Sequence, residues 1–315
     1  MEQAERALIR RGEPVAAAEL VRGAGLCPRP GRPSPDSRVS APIGHPVLGE
    51  WLALGFVQPD VRQLPPLARV EDVTRAVRGA MLRHALDPPP ALLSGHSADG
   101  SRLERPHTAF LALPDLRASA THARIAGVAI GLPRDVDPES HQAILLAAAH
   151  WERSGLRLLL GRLGALRLAR ADHSEPESPL DPTTWTRPAR RWASVTPVAL
   201  PKNPGDLTAR DPIIAARATA RAQQIVADAC AQVGLPRPVR VRVAPRPVFS
   251  AVPPAPAFMP YPRLGSGFKR VCVHVELEWE EEIAGPVVIG VGRYFGVGLL
   301  GSVDAVQRIT GSCLG

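Results

Sequence analysis

The sequence predicts an α+β fold made of two similar halves and a glycine-rich C-terminal segment. Three observations carry this reading. The order strand, helix, strand, strand occurs twice, at about 124–170 and 191–279, and each helix opens on an Asp-Pro pair, Asp137-Pro138 and Asp211-Pro212. Asp is a favoured N-cap, and Pro fits the first helical turn, where its missing N–H costs nothing. Val271, Val273, Val275, Leu277 and Trp279 alternate with Cys272, His274, Glu276 and Glu278, the period-two pattern of a strand with one wet face. Six glycines fall between Gly285 and Gly301, around Arg293, Tyr294 and Phe295. Strand–helix–strand–strand is the first part of a βαββαβ unit, so the expected architecture is tandem ferredoxin-like domains with a cleft between their sheets.

The elements follow in order. Residues 1–66 are weakly patterned and read as an irregular or helical N-terminal region, with short helices over 4–20 and a Pro/Ser/Gly-rich linker over 27–46. Val70, Val73, Val77 and Met81 recur at helical spacing and place an amphipathic helix at 67–86, stopped by Asp87-Pro-Pro-Pro. The first domain is read as 67–171. Its strands are His107–Leu113 and Arg124–Leu132, its capped helix runs to Arg153, and Leu156–Leu160 with Ala165–Leu168 forms a hairpin. Residues 172–190 read as a polar linker, and 191–315 as the second domain. There, Arg191–Leu200 is a strand. Ile214, Ala218, Ile225, Ala229 and Val233 mark the buried face of a helix ended by Gly234, and Val239–Phe249 alternates as a strand. Pro286–Val291 leads into the glycine-rich loop.

Composition narrows the partner. Net charge is +8, and of 38 basic residues only Lys202 and Lys269 are lysines. An arginine-rich surface offers planar forks that bind phosphate bidentately and stack on bases. The four cysteines, Cys27, Cys230, Cys272 and Cys313, form no CxxC pair, so neither a zinc ribbon nor a redox dithiol is indicated. No three- or four-ligand metal spacing and no P-loop occurs, and no GxGxxG opens a helix after a strand, so no cofactor is expected. The N-terminus has no apolar secretory core, and no apolar run reaches the 18 or so residues of a membrane span. A cytoplasmic protein without a membrane partner is the expectation.

Glycine permits positive φ and close backbone approach, and consecutive amides can form an anion-binding concavity. Gly290, Gly292, Gly296 and Gly298 around Arg293 and Tyr294 therefore suggest a phosphate-bearing, stackable ligand such as single-stranded RNA. Two further segments fit RNA contact. Lys269 and Arg270 follow Gly265-Ser-Gly-Phe268, either as an RNA-contacting loop or as a plain hairpin loop. Arg190 and Arg191 precede Trp192, which either stacks a base or lies buried in a strand.

Five segments in order resemble one family: Leu92-Leu-Ser-Gly-His96-Ser-Ala-Asp99-Gly, Pro106-His107-Thr-Ala-Phe-Leu-Ala-Leu-Pro-Asp115, His122-Ala-Arg124-Ile-Ala-Gly-Val-Ala-Ile-Gly-Leu-Pro-Arg134, Arg190-Arg-Trp192-Ala-Ser-Val-Thr-Pro197 and Gly290-Val-Gly-Arg293-Tyr-Phe-Gly-Val-Gly-Leu-Leu. They resemble the RAMP-superfamily proteins of type I CRISPR systems. More narrowly, they look like the subtype I-U (I-G) fusion of a crRNA handle-binding part with a repeat-cleaving endoribonuclease part. This chain looks mainly like the endoribonuclease part, and residues 1–66 stand where a remnant of the handle-binding half would lie. The resemblance implies processing of CRISPR repeat RNA, retention of the crRNA and assembly with other subunits of a type I complex.

It also implies metal-independent cleavage, in which the 2′-hydroxyl attacks its own phosphate and leaves a 2′,3′-cyclic phosphate. That chemistry needs a base, an acid and a cation at the phosphorane, and histidine suits the proton transfers. His107, at the start of a strand, is the first candidate. His96 follows, with Asp99 placed to orient it, and then His122. His141 and His150 on the capped helix are weaker candidates, and His274, on the outward face of its strand, is a candidate RNA contact. The alternative is a non-catalytic crRNA-binding subunit with the same charge and loop.

Overall fold

The computed structural model describes residues 43–44, 48–57, 64–117, 123–161, 164–171, 178–259, 261 and 269–306. The helices expected over 4–20, most of the 27–46 linker, His122 and the Gly265–Phe268 stretch lie outside them.

In the N-terminal half, β2 (Leu48–Phe56) leads to α1 (Val70–His84), a short α2 (Ala91–Ser94), β3 (Ala109–Asp115), β4 (Arg124–Pro133), α3 (Pro138–Arg153), β5 (Arg157–Leu159) and β6 (Ala165–Arg170). The sheet order is β3-β4-β2-β6-β5, antiparallel throughout. Taken as β2-α1-β3-β4-α3-β6, this is a complete βαββαβ unit with the first and third strands in the centre, plus one hairpin strand. Residues 48–56 are thus the sheet's middle strand, which corrects the irregular or helical reading of 1–66 there. The Asp137 carboxylate caps α3 by accepting the Ser140 amide at 2.7 Å, as its sequence predicts.

The C-terminal half repeats the plan with one omission. Its elements are α4 (Pro182–Thr186), β7 (Ala189–Ser194), β8 (Val198–Ala199), α5 (Pro212–Gln232), β9 (Arg240–Ala244), β10 (Cys272–Ala284), β11 (Val287–Val288) and β12 (Leu299–Ser302). β10 pairs with β9 and with β7, and β7 pairs with β12, so β9-β10-β7-β12 again has the ferredoxin-like order. Where the second helix would lie between β10 and β12, the chain runs through β11 and the glycine-rich loop, with a single 3₁₀ turn at Arg293–Phe295. The molecule is an α+β protein of tandem ferredoxin-like units. A two-residue strand, β1 (Ile43–Gly44), pairs in parallel with the end of β10.

Several expected boundaries move. The 172–190 linker contains α4, with Trp185 buried and its indole N–H donating to the Pro179 carbonyl at 2.8 Å. The Arg191–Leu200 strand is broken into β7 and β8 by the Thr196-Pro197 bend, and the Val239–Phe249 strand stops at Ala244, before Pro245. Ile214 is half exposed rather than on the buried face of α5. His274, expected on a wet face, is 2% exposed. The segment after β9 covers it: His274 Nε2 donates to the Pro253 carbonyl at 3.0 Å, and Phe258 meets the ring edge-on.

One continuous apolar core joins the halves. It holds Trp51, Val77, Phe110 and Trp151 together with Val195, Phe249, Val288 and Leu299. A second cluster, including Trp192, Val226, Leu277 and Ile289, fills the space between α5 and its sheet.

Candidate functional site at the seam of the two halves

The glycine-rich loop sits against both halves. The Thr196 hydroxyl donates to the Gly296 carbonyl at 2.8 Å and accepts the Gly298 and Leu299 amides at 3.0 and 2.9 Å. From the other side, Thr74 on α1 shares its hydroxyl between the Val70 carbonyl and the Phe295 carbonyl, the latter at 2.9 Å. Gly296 has φ +72°, and a Cβ there would lie 2.9 Å from Thr74 Cγ2 and 3.2 Å from the Phe110 carbonyl. Glycine at this position lets the loop lie flat on α1 and β3.

Gly290, Gly292, Gly296 and Gly298 are all buried. They do not form the open, amide-lined anion cradle that the sequence suggests. Their role is close packing, and what the loop presents to solvent is the side chains of Arg293, Tyr294 and Phe295, each only partly buried.

Those three side chains form one wall of a cleft of about 370 Å³, which also takes in Arg75 and Arg78 from α1, Gly95 and His96 from the turn after α2, Arg102, His107, Thr108, Tyr261 and Arg270. Among the described residues, five arginines and no carboxylate line it. The Arg75 guanidinium lies 4.9 Å above the Phe295 ring, and that of Arg293 lies 4.5 Å above Tyr294. Stacking orients both guanidiniums, and that of Arg75 is also paired with the Glu71 carboxylate one turn back at 3.2 Å.

His107 lies deepest among the histidines of the cleft. Its ring stacks on Tyr294 with centroids 3.5 Å apart, and Gly95 lies on its Nε2 side, where a Cβ would come within 3.1 Å. Nδ1 is 3.4 Å from the Arg105 carbonyl, which assigns the proton to Nδ1 and leaves the Nε2 lone pair free. Burial pushes its pKa down to about 4, against a smaller opposing effect of the Arg105 carbonyl, and Arg293, Arg78 and His96 push it down further. His107 is therefore a neutral imidazole near pH 7.

His96 is exposed at the rim, with Nδ1 3.0 Å from the Ser94 carbonyl. Asp99 does not orient it: its carboxylate accepts the Ser101 amide at 2.9 Å and closes its own turn. His141 Nε2 meets Glu50 at 3.1 Å, and His150 Nδ1 meets the His84 carbonyl at 3.1 Å, both outside the cleft lining. Arg191 pairs with Glu276 at 2.8 Å on the sheet face, Trp192 is fully buried, and neither Arg190 nor Arg191 lines the cleft. Arg270 does, while Lys269 lies in an adjoining cavity.

The sequence reading missed Arg75, Arg78, Arg102, Thr108 and Tyr261. For Arg75 and Arg78 a signal existed, because they lie one turn apart on the polar face of an amphipathic helix. Thr108 is 1% exposed and its hydroxyl has no partner, an unmet donor directly beside His107. Among the described residues, no group of three His, Cys, Asp or Glu side chains is placed to hold a metal ion, and no helix is long and apolar enough to cross a membrane.

Fold and cleft together define a tandem ferredoxin-like protein with an arginine-lined, histidine-bearing groove at the seam of its two units. Residues 58–302 match the family described as CRISPR-associated protein, GSU0054 family, and the chain belongs to that family. Among solved structures it is similar to one titled "Crystal structure of Cas6b", at 10% identity and a TM-score of 0.42, over 80% of this chain and 98% of that one. A search of curated proteins finds no match.

Proposed function

We propose that the chain is a metal-independent endoribonuclease that cuts CRISPR repeat RNA, keeps the crRNA and joins other subunits of a type I CRISPR complex. One observation carries the proposal: a neutral, immobilised His107 in a cleft lined, among the described residues, by five arginines and no carboxylate. In the reaction, His107 Nε2 takes the proton of the ribose 2′-hydroxyl. The 2′-oxygen attacks the adjacent phosphorus, and the bond from phosphorus to the 5′-oxygen breaks. The 5′-oxygen takes a proton from His96 at the rim, giving a 5′-hydroxyl and a 2′,3′-cyclic phosphate. Arg78 and Arg293 flank His107 and offset the charge of the dianionic phosphorane.

The family assignment supports a CRISPR context, and the basic cleft supports a polyanionic ligand. The test is incubation with the cognate repeat RNA in EDTA. One cut with a cyclic-phosphate end is expected, lost in His107→Ala with RNA binding retained. The stacking and lowered pKa of His107 also favour a second reading, a crRNA-binding subunit in which the ring is structural. Intact RNA with tight binding selects that reading, and absence of RNA binding overturns both.

A further inference from the structure

The chain has two lysines, and the fold brings both to one cavity. β8 and β10 pair antiparallel with Ala199 opposite Cys272 and Val198 opposite Val273. The pairing extends outward, since the Leu200 amide donates to the Val271 carbonyl at 2.9 Å. Lys202 and Lys269 follow two residues beyond this last hydrogen bond on either segment, Lys202 in the bend that ends the pairing. Both side chains are exposed, and they line a cavity of about 290 Å³ with Asn203 and Arg270 and, among the described residues, no carboxylate. Like charges gathered at one cavity repel each other. Among the described residues, no acidic group forms an ion pair with either lysine. Arg270 belongs to this cavity and to the His107 cleft alike, and its guanidinium is fixed by the Pro201 carbonyl at 2.9 Å and the Leu200 carbonyl at 3.3 Å. The two cavities therefore share Arg270 as a common wall.

We propose that Lys202 and Lys269 form a second phosphate-binding station, which holds the RNA strand where it leaves the His107 cleft past Arg270. The inference rests on the RNA reading above and adds the path of the strand. A single-stranded backbone phosphate supplies the charge that the two ammonium groups lack. Lysine suits a site that grips a moving backbone as a point charge, whereas the arginines of the cleft suit fixed bidentate or stacked contacts.

The experiment is salt-dependent binding of a labelled oligouridylate about 12 nucleotides long, measured by anisotropy on the full chain. Each phosphate contact on a single strand contributes about 0.7 to the slope of log K against log salt. In Lys202→Ala/Lys269→Ala the slope should become shallower by about 1.4. Between about 50 and 200 mM salt, wild type should then lose about sevenfold more affinity than the double variant. Lys269→Glu should raise the Tm of the free protein while weakening RNA binding. An unchanged slope with tight wild-type binding overturns the station and leaves the cleft reading standing. A lowered Tm in Lys269→Glu overturns the unrelieved repulsion on which the station rests. Selective binding of an acidic protein at the lysines, with an unchanged RNA slope, reassigns the cavity and overturns the station. No RNA binding by wild type overturns both readings.

Discussion

The two halves share one plan and differ at one step. In the N-terminal unit, α3 carries the chain from β4 back to β6, and its glycines at Gly155, Gly161 and Gly164 adopt positive φ with nothing within 4 Å of where a Cβ would be. In the C-terminal unit that helix is missing, and the loop replacing it is so closely packed that a Cβ at Gly298 would lie 2.0 Å from the Ile289 carbonyl. A helix satisfies its own backbone, and a loop has to find partners. This loop finds them in Thr196 on one unit and Thr74 on the other. The missing helix is thus what allows the C-terminal unit to reach the N-terminal one and set Tyr294 on His107.

The largest test of that contrast is His107→Ala. On the proposed reading, removing the His107 base should lower the rate of repeat-RNA cleavage by about 10²–10⁴-fold while RNA affinity stays near wild type. A fall in affinity of similar size would make the ring a binding group. Next in size is Gly298→Ala. With φ +93° and the Ile289 carbonyl in the way, it should cost on the order of 3–5 kcal/mol in urea unfolding. Gly155→Ala, at φ +90° but in open space, should cost about 1–2 kcal/mol. Equal losses would show that the loop yields more readily than its packing indicates.

Acid titration comes third. His274 is held neutral in a closed chain, in which the Val275 amide donates to Ser194 Oγ, Ser194 donates to Nδ1, and Nε2 donates to the Pro253 carbonyl. Burial lowers its pKa to about 4, against an ordinary 6.5. The unfolded chain takes up a proton that the folded one refuses between these values. The stabilisation is therefore complete above pH 6.5 and is lost as pH falls toward 4. The difference amounts to about 3 kcal/mol. His107, lowered to about 4 as well, adds to the same limb, so His274→Gln should make the acid limb of a stability profile shallower without abolishing it, and an unchanged limb would place the proton uptake elsewhere. The smallest effect concerns the shared element. Asp137→Ala and Asp211→Ala remove matching N-caps, and each should cost about 1 kcal/mol. A marked inequality would show that one unit depends more on its capped helix.

What the sequence revealed follows from how local each signal is. Asp137 and Asp211 act within one turn, so their helices were legible to a residue or two. The alternation of β10 was legible too, but the cover over His274 comes from residues 245–259, which no local pattern reports. β2 was missed because a central strand flanked by helices loses the apolar–polar alternation: Leu52 is partly exposed while Ala53 and Leu54 are both buried. The glycine-rich segment announced itself as unusual. Its glycines turned out to serve packing, and the cations of the cleft come mainly from elsewhere, Arg75 and Arg78 from a helix that reads as ordinary amphipathic surface.

β1 and β2 lie three residues apart in the chain and belong to different sheets, one closing on β10 and the other running down the middle of the N-terminal unit. The family match begins only at residue 58. An expression fragment cut to that boundary would discard the central strand of one sheet and the clasp on the other. Such a fragment should aggregate or misfold, so cloning boundaries for this protein belong upstream of Ile43.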